Sequence, residues 1–287
     1  MELLARVLVA SIRFHESSHT RLLACIPEGS EPLSWNTRSI FDDCAVEIRH
    51  FTPFLKGKFN YPIGNKLDAL VQCGNSNELG VSVIMDTDII SLSRFDICNL
   101  LAEVGSSEIA AAPIFGAQVF TLENRHHFDE LCERLGTSGR LALSPMRRRK
   151  GQLEAYNAGF VVTSSNSART RWHQLTEQVL GDALVPKKLR FPLADQVSLA
   201  ILRANLASQF TVLDSKWNRG HVPPESVPHF FHYHSFGVLL RHRFTNKILR
   251  KLIHSSKKHD AELLGELGLR DLFYFLEEKT IVSEELP

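Results

Sequence analysis

A short apolar run that ends in two acidic residues constrains the fold of this chain more than any other stretch. Residues 80–90 read Gly-Val-Ser-Val-Ile-Met-Asp-Thr-Asp-Ile-Ile, and the β-branched residues before the acids predict a buried strand that ends at Asp86. Side chains two positions apart on a strand share a face, so Asp86 and Asp88 are predicted to converge while Thr87 points away. Paired carboxylates suit hard divalent ions that leave room for phosphate oxygens. A solvated turn is the alternative, because aspartate is common in turns.

Helical and extended patterns alternate on both sides of this run. Strands are predicted at residues 21–27, 44–50, 108–114, 156–163, 209–213 and 229–234. Helices are predicted at residues 1–15, 65–73, 95–104, 125–135, 168–180 and 197–206. This alternation predicts an α/β fold with a mixed, mostly parallel central sheet flanked by helices, and ligands at the carboxyl ends of its strands. Asp86 stands at such an end.

Composition limits the classes of partner. The 287 residues carry a formal net charge of +1, which provides no general attraction for nucleic acid, so any anion must bind locally. The five cysteines are odd in number and have no C-x-x-C spacing, which predicts neither a zinc site nor a disulfide framework and favours a reducing compartment. Apolar runs are too short to span a bilayer. We therefore predict a cytoplasmic protein, with peripheral membrane contact left open.

Five short motifs follow one another along the chain. They are Asn65-Lys66-Leu67-Asp68-Ala69-Leu70, Asp86-Thr87-Asp88, Tyr156-Asn157-Ala158-Gly159-Phe160, Asp195-Gln196 and His232-Tyr233-His234-Ser235. Their order and spacing resemble the GT-A nucleotide-sugar glycosyltransferases, most closely family 8, which includes glycogenin and bacterial lipopolysaccharide glycosyltransferases. The resemblance covers about residues 1–245 and implies a GT-A domain there, with residues 246–287 as a helical extension.

The resemblance implies a divalent ion, Mn²⁺ in most members and Mg²⁺ otherwise, held by Asp86, Asp88 and His232. A neutral imidazole is a suitable ligand for Mn²⁺. The late strand reads His-Phe-Phe-His-Tyr-His, and we interpret it as presenting His229, His232 and His234 on one face. The pattern therefore does not separate His232 from its neighbours, and His234 is the alternative ligand.

The resemblance also implies contacts with a nucleotide-sugar donor. The implied donor-binding residues are Lys66, Asp86, Thr87, Asn157 and Arg241. Lys66 would meet the donor phosphate or sugar, and Asn157 would line the sugar pocket. Read without the resemblance, Lys66 is an ordinary surface lysine and Asn157 belongs to a turn that enters a strand.

Three residues are implied at the reacting sugar, namely Asp195, Gln196 and Asn157. The carboxylate of Asp195 would stabilise positive charge that develops on the sugar ring. The alternative for Asp195 is a helix N-cap, since it stands just before an apolar helix.

Two features depart from the family pattern. Family members begin with a strand that contacts the base and ribose, whereas this chain begins on the predicted helix, so either the true start lies upstream or the nucleotide is held less firmly. The late histidine of the family is followed by glycine and a phosphate-binding lysine. Here Arg241 or Arg243 would have to replace that lysine.

The implied activity is metal-dependent transfer of a sugar from a UDP-sugar to a glycan, lipid-linked or protein acceptor, with retention of configuration. One alternative is a haloacid-dehalogenase-like phosphatase with Asp86 as nucleophile and Asp88 as acid/base. That class also needs a downstream lysine and a further acidic pair after another apolar strand, for which Asp182 is the one loose candidate, and Asp182 follows a predicted helix. The other alternative is a glycosyltransferase-like binding module without activity. The first strand of the family, which is missing from the predicted pattern, is the main support for this alternative.

Two basic segments allow two interpretations each. Residues 144–151 are interpreted as a solvated loop, with a patch for an anionic acceptor as the alternative. In the tail, residues 247–258 combine basic and apolar positions. We predict that this segment packs on the domain, and contact with an anionic membrane surface is the alternative.

Overall fold

A computed structural model describes residues 2–16, 20–74, 80–114, 119–137, 139–144, 151–220, 227–234 and 238. Its helices are α1 (Glu2–His15), α2 (Trp35–Asp43), α3 (Phe54–Phe59), α4 (Asn65–Cys73), α5 (Ile97–Val104), α6 (Arg125–Arg134), α7 (Asn166–Gly181), α8 (Lys187–Arg190) and α9 (Ala194–Asn205). Its strands are β1 (Leu22–Pro27), β2 (Val46–Phe51), β3 (Ser82–Met85), β4 (Ile89–Ser91), β5 (Ile109–Pro113), β6 (Tyr156–Thr163), β7 (Phe210–Val212) and β8 (Phe230–His232). Every helix and strand predicted within these ranges is present, with ends that differ by a few residues.

The strands form three sheets in the described part of the chain. The largest has the order β3-β6-β5-β7, while β1 pairs with β2 and β4 pairs with β8. Only β1–β2 and β5–β7 are parallel pairs. The expectation of a mostly parallel sheet is therefore too strong for these residues, because β6 runs antiparallel to both of its neighbours, β3 and β5. The mixed α/β character is confirmed.

Strand β6 is the centre of the core, and all eight of its residues are buried. Phe160 and Val162 face one apolar cluster, which also contains Leu8 of α1 and Leu100 of α5. Val161 belongs to the cluster on the other side, with α7 and α9. Each large apolar side chain buried in this way contributes about 1.5–3 kcal/mol, so the backbone of β6 is held firmly from both faces.

Arg169 of α7 fixes β3 against β6. Its guanidinium is buried and donates to Thr163 Oγ1 at 3.1 Å and to Ser82 Oγ at 3.0 Å. Thr163 and Ser82 are opposite residues of the β3–β6 pair. Burial lowers the pKa of Arg169. Arg169 thus fixes the register of the β3–β6 pair at the first residue of β3. The same register determines where β3 ends, and the acidic residues follow directly after that end.

Several predictions lie outside the described residues. They concern residues 145–150 of the basic connection, Arg241 and Arg243, and the tail from residue 246. Among the described helices, none has the length and apolar character that crossing a membrane requires.

Candidate active site

The two aspartates lie in a turn between strands of different sheets. The backbone N–H of Asp86 still donates to the carbonyl of Gly159 at 2.8 Å, but Thr87 and Asp88 form a turn, and β4 begins at Ile89. The prediction of an extended backbone through both acids is therefore wrong. The turn sends the two carboxylates to different partners.

Asp88 is paired with His232 across the β4–β8 ladder. Ile89 lies opposite His232 in the register, and Tyr233 N–H donates to the carbonyl of Asp88 at 3.1 Å. His232 Nε2 then donates to Asp88 Oδ1 at 3.1 Å. Burial alone would raise the pKa of Asp88, but the hydrogen bond and charge of His232 outweigh it and the pKa is lowered. Asp88 is thus a carboxylate near neutral pH, with a histidine from the late strand beside it.

Asn157 orients the His232 ring. Its Oδ1 accepts from the N–H of Gly159 at 2.9 Å, which turns Nδ2 toward His232 Nδ1 at 3.1 Å. The ring is thereby fixed with Nε2 toward Asp88. Asn157 is buried, and its described contacts are with the protein.

Gly159 is the residue of β6 beside which Asp86 and His232 meet. A Cβ on this residue would lie 2.5 Å from His232 Cε1, 2.9 Å from His232 Nδ1 and 2.9 Å from Asp86 Oδ2. Heavy atoms at such distances overlap. Only a residue without a side chain lets Asp86 and His232 approach the same point of β6.

Lys66 joins Asp86 to Asp195. Its Nζ lies 3.1 and 3.2 Å from the two Asp86 oxygens and 2.8 Å from Asp195 Oδ2. Burial lowers the pKa of Lys66, but the charges of Asp195 and Asp86 raise it by more, so the net pKa is raised. Lys66 is therefore an ammonium group shared by two carboxylates. The alternative of an ordinary surface lysine does not describe these contacts.

Asp195 is buried and held from several sides. Besides Lys66, it accepts from Tyr61 Oη at 2.9 Å and from the N–H of Gln196 at 3.0 Å, both at Oδ1. It lies in the first turn of α9, one residue past the start, and makes no side-chain cap. The Oε1 of Gln196 is buried and has no hydrogen-bond partner among the described residues.

Tyr61 is the residue of this site that sequence reasoning missed. Its ring is buried, and its hydroxyl can donate to the carbonyl of Pro192 at 2.8 Å or to Asp195. Burial and the charge of Asp195 raise its pKa, so the phenol stays neutral. A tyrosine before proline in a connecting segment carries no periodic signal, and only the fold brings it to Asp195.

The three late histidines do not share a face. His229 and His232 are three positions apart, an odd number, so the alternation of a strand sends them to opposite sides. His229 Nδ1 lies 3.1 Å from Ser93 Oγ, and its ring lies against Trp217. His234 does come back to His232, with ring centroids 3.9 Å apart. The prediction of one common face is therefore wrong for His229.

One group of described residues has the spacing of a metal site. One ligand atom each from Asp88, His232 and His234 lie within 4.8 Å of one another. A carboxylate with two imidazoles is a donor set that divalent transition metals accept. Burial and the charge of His232 lower the pKa of His234, which favours the neutral imidazole that binds metals.

Comparisons with solved structures identify the fold. The WbbM bifunctional glycosyltransferase matches with a TM-score of 0.56 and 12% identity over 92% of this chain and 49% of its own. The galactosyltransferase LgtC, solved with donor and acceptor sugar analogues, matches with a TM-score of 0.52 and 13% identity over 92% of this chain and 91% of its own. The chain thus spans about half the length of WbbM. A sequence comparison with curated proteins finds no match.

These neighbours show that the chain has the fold of the GT-A glycosyltransferases, as the resemblance implied. The chain belongs to the Rhodobacterales glycosyltransferase domain family, whose model matches residues 1–207. The finer assignment to family 8 stays a prediction.

Replacement of Lys66 by methionine should destabilise the protein. It leaves Asp195 buried without its cation, and removing one partner of a buried ion pair costs about 3–5 kcal/mol. Urea denaturation at pH 7 measures the loss. Lys58→Met is the matched control, because Lys58 pairs with Glu177 on the surface and such pairs are worth roughly 0–1 kcal/mol. Equal losses in the two variants would contradict a buried ionic role for Lys66.

Proposed function

We propose that the protein is a metal-dependent glycosyltransferase that moves a sugar from a UDP-sugar to an acceptor with retention of configuration. The observation that carries the proposal is that Asp86 and His232 meet beside Gly159, while Asp88 is hydrogen-bonded to the same His232. Two segments far apart in sequence, the turn after β3 and strand β8, supply these groups, and a loop with a merely solvated pair of acids would not require a glycine on the neighbouring strand.

The residues proposed to hold the ion, Mn²⁺ or Mg²⁺, are Asp86, Asp88 and His232, with His234 as the alternative to His232. Their carboxylate and imidazole atoms fit such an ion, since Asp88 and His232 already lie within the span of one coordination sphere. When bound, the ion supplies positive charge for the two phosphates of the donor. We propose that Thr87, in the same turn, lies against the donor.

Lys66 supplies the second positive charge in this proposal. It stays protonated, and it lies beside Asp86, where the phosphates of a donor bound at the ion would be. Negative charge grows on the leaving diphosphate as the bond to the sugar breaks, and a cation already in position stabilises it without reorganisation. Arg241, or Arg243, is proposed as a further cation.

Asp195, Gln196 and Asn157 are proposed at the sugar. The described contacts support an indirect part for two of them, because Asp195 holds Lys66 and Asn157 holds the His232 ring. Within the described part of the chain the side-chain oxygen of Gln196 has no hydrogen-bond partner, and we propose that a hydroxyl of the sugar engages it after rotation of the side chain. A carboxylate next to the sugar also favours the positive charge that develops on its ring.

The acceptor is proposed to be a glycan, free, lipid-linked or on a protein. The proposed domain covers residues 1–245, with residues 246–287 as an extension that packs on it, and the proposed location is cytoplasmic, with peripheral membrane contact as the alternative. No observation favours the phosphatase: Asp182 forms an ion pair with Arg134 Nε at 2.7 Å at the end of α7, where it has no part in the site.

Donor binding should stabilise the protein against heat. With Mn²⁺ present, a UDP-sugar at about 100 times its dissociation constant adds about 2.7 kcal/mol, which raises the Tm of a chain of this size by roughly 5–10 °C. The measurement is a thermal melt with Mn²⁺ alone, the nucleotide sugar with chelator, and both together. The proposal expects the largest shift with both. No shift across a panel of nucleotide sugars would count against donor binding.

A further inference from the structure

The ring of Tyr61 is fixed shortly before α4, the helix that carries Lys66. The residue is only 1% exposed, and its ring meets the ring of Phe191 edge-on, with centroids 5.8 Å apart. A Cβ on Gly64 would lie 2.6 Å from Leu55 Cβ and 3.0 Å from Tyr61 Cδ1, so only a glycine at this position leaves room for the ring. The hydroxyl group of Tyr61 therefore has a defined place in the folded protein.

This hydroxyl group lies between three polar groups of the chain. Tyr61 Oη is 2.8 Å from the carbonyl oxygen of Pro192 and 2.9 Å from Asp195 Oδ1, and it accepts from the backbone N–H of Asp195 at 3.3 Å. A phenol has one proton to donate. Because a hydrogen bond to a carboxylate is stronger than one to a neutral carbonyl, the proton of Tyr61 goes to Asp195 Oδ1 when that group is ionised.

The two oxygens of Asp195 consequently have different partners. Oδ1 accepts from Tyr61 and from the backbone N–H of Gln196 at 3.0 Å, whereas Oδ2 lies 2.8 Å from Lys66 Nζ. Each carboxylate oxygen can accept about two hydrogen bonds. Among the described residues, Oδ1 is therefore filled, and Oδ2 keeps one position for a further donor beside Lys66.

We propose that Tyr61 is a positioning residue, which holds Oδ1 of Asp195 so that Oδ2 and Lys66 are the groups presented to the donor. This inference rests on the proposed function and deepens it, since it adds to the site a residue that stands outside the five sequence motifs. The contacts continue from Asp195 through Lys66 to Asp86, whose oxygens lie 3.1 and 3.2 Å from Lys66 Nζ. A cation that stabilises a leaving group must be in place beforehand, and Tyr61 keeps it there through Asp195.

The kinetic test is Tyr61→Phe, which removes the hydroxyl group and keeps the ring that packs on Phe191. UDP release from UDP-sugars should show a kcat lowered roughly 10- to 100-fold, the scale on which a misplaced group acts, with the KM for the donor close to that of the wild type. Tyr156→Phe is the matched control, because it removes another buried tyrosine's hydroxyl, which lies 3.0 Å from Glu154 Oε2. This control should keep the wild-type kcat.

A second measurement needs no activity. Urea denaturation gives the destabilisation caused by Lys66→Met in the wild type and again in Tyr61→Phe. The cost should be smaller in Tyr61→Phe, because Asp195 is no longer held toward Lys66 there, and residues of one hydrogen-bond network give such non-additive effects. In the Tyr156→Phe background, Lys66→Met should cost as much as in the wild type.

The outcomes separate this inference from the proposed function. A normal kcat in Tyr61→Phe, or an equal loss in Tyr156→Phe, would overturn the positioning role even though the wild type turns over a UDP-sugar. If the wild type releases no UDP from any UDP-sugar, the proposed transfer fails and the urea measurements decide the inference. A smaller cost of Lys66→Met in Tyr61→Phe then supports it, and an equal cost refutes it.

Discussion

Gly159→Ala is expected to reduce metal-dependent UDP release from a UDP-sugar by at least about 100-fold, the scale on which loss of one well-placed electrostatic group acts. The added methyl group would lie 2.5 Å from His232 Cε1 and 2.9 Å from Asp86 Oδ2, so one of these side chains must leave its place. Strand β6 is packed on both faces and cannot shift to relieve the contact. The ligands would therefore separate while the core stays formed.

Gly57→Ala is the matched control for that variant. Gly57 is in α3, and a Cβ there would meet nothing within 4 Å. Alanine in a helix is favoured over glycine by about 0.5–1 kcal/mol, so this variant should be slightly more stable and fully active. Circular dichroism and urea denaturation check both folds. If Gly159→Ala turned over the donor normally, Asp86 and His232 could not both be needed at this point of β6.

Asp88→Ala should abolish the dependence of turnover on a divalent ion. The substitution removes the carboxylate that His232 faces, and the acid that remains, Asp86, is already paired with the ammonium group of Lys66, so the site loses most of its negative charge for the ion. The measurement is UDP release with and without Mn²⁺, together with Mn²⁺ titration. Asp43→Ala removes an exposed carboxylate at the end of α2 and should leave both unchanged. Full Mn²⁺-dependent turnover in Asp88→Ala would refute the metal role.

The difference in stability between the wild type and Asp88→Ala should decrease as the pH falls. The pKa of Asp88 is lowered in the folded protein, so its ionised form contributes stability above its unfolded pKa of about 3.9. That contribution is lost as the pH falls through the folded pKa. Urea denaturation should therefore separate wild type from Asp88→Ala at pH 7 and bring them together well below pH 4. A constant difference across that range would contradict a hydrogen-bonded carboxylate.

The parts of the fold that depend on local pattern could be predicted from the sequence. The apolar run before Asp86, the helical repeat after Asn65 and the small residues that open β6 were sufficient to place β3, α4 and β6. The antiparallel direction of β6 could not be predicted in this way. It depends on the end of the sheet from which the preceding long connection leads the chain into the strand. Period-2 alternation is the same for both directions.

The site was predictable only in part, for the same reason. Asp86, Asp88, Lys66 and His232 stood in recognisable motifs, and the structure brings all four together. The turn that divides the two aspartates and the left-handed conformation of His234 have no signature in residue type.

The ammonium group of Lys66 between Asp86 and Asp195 affects the stability of the folded protein when no ion is bound. Carboxylates that lie close together without a counter-ion repel one another and destabilise the folded state. Lys66 supplies that counter-ion from within the protein, so Asp86 and Asp195 are neutralised in part before any ion binds. If the proposed ion binds, it shares Asp86 with the ammonium group of Lys66, and we therefore expect a moderate affinity for the ion.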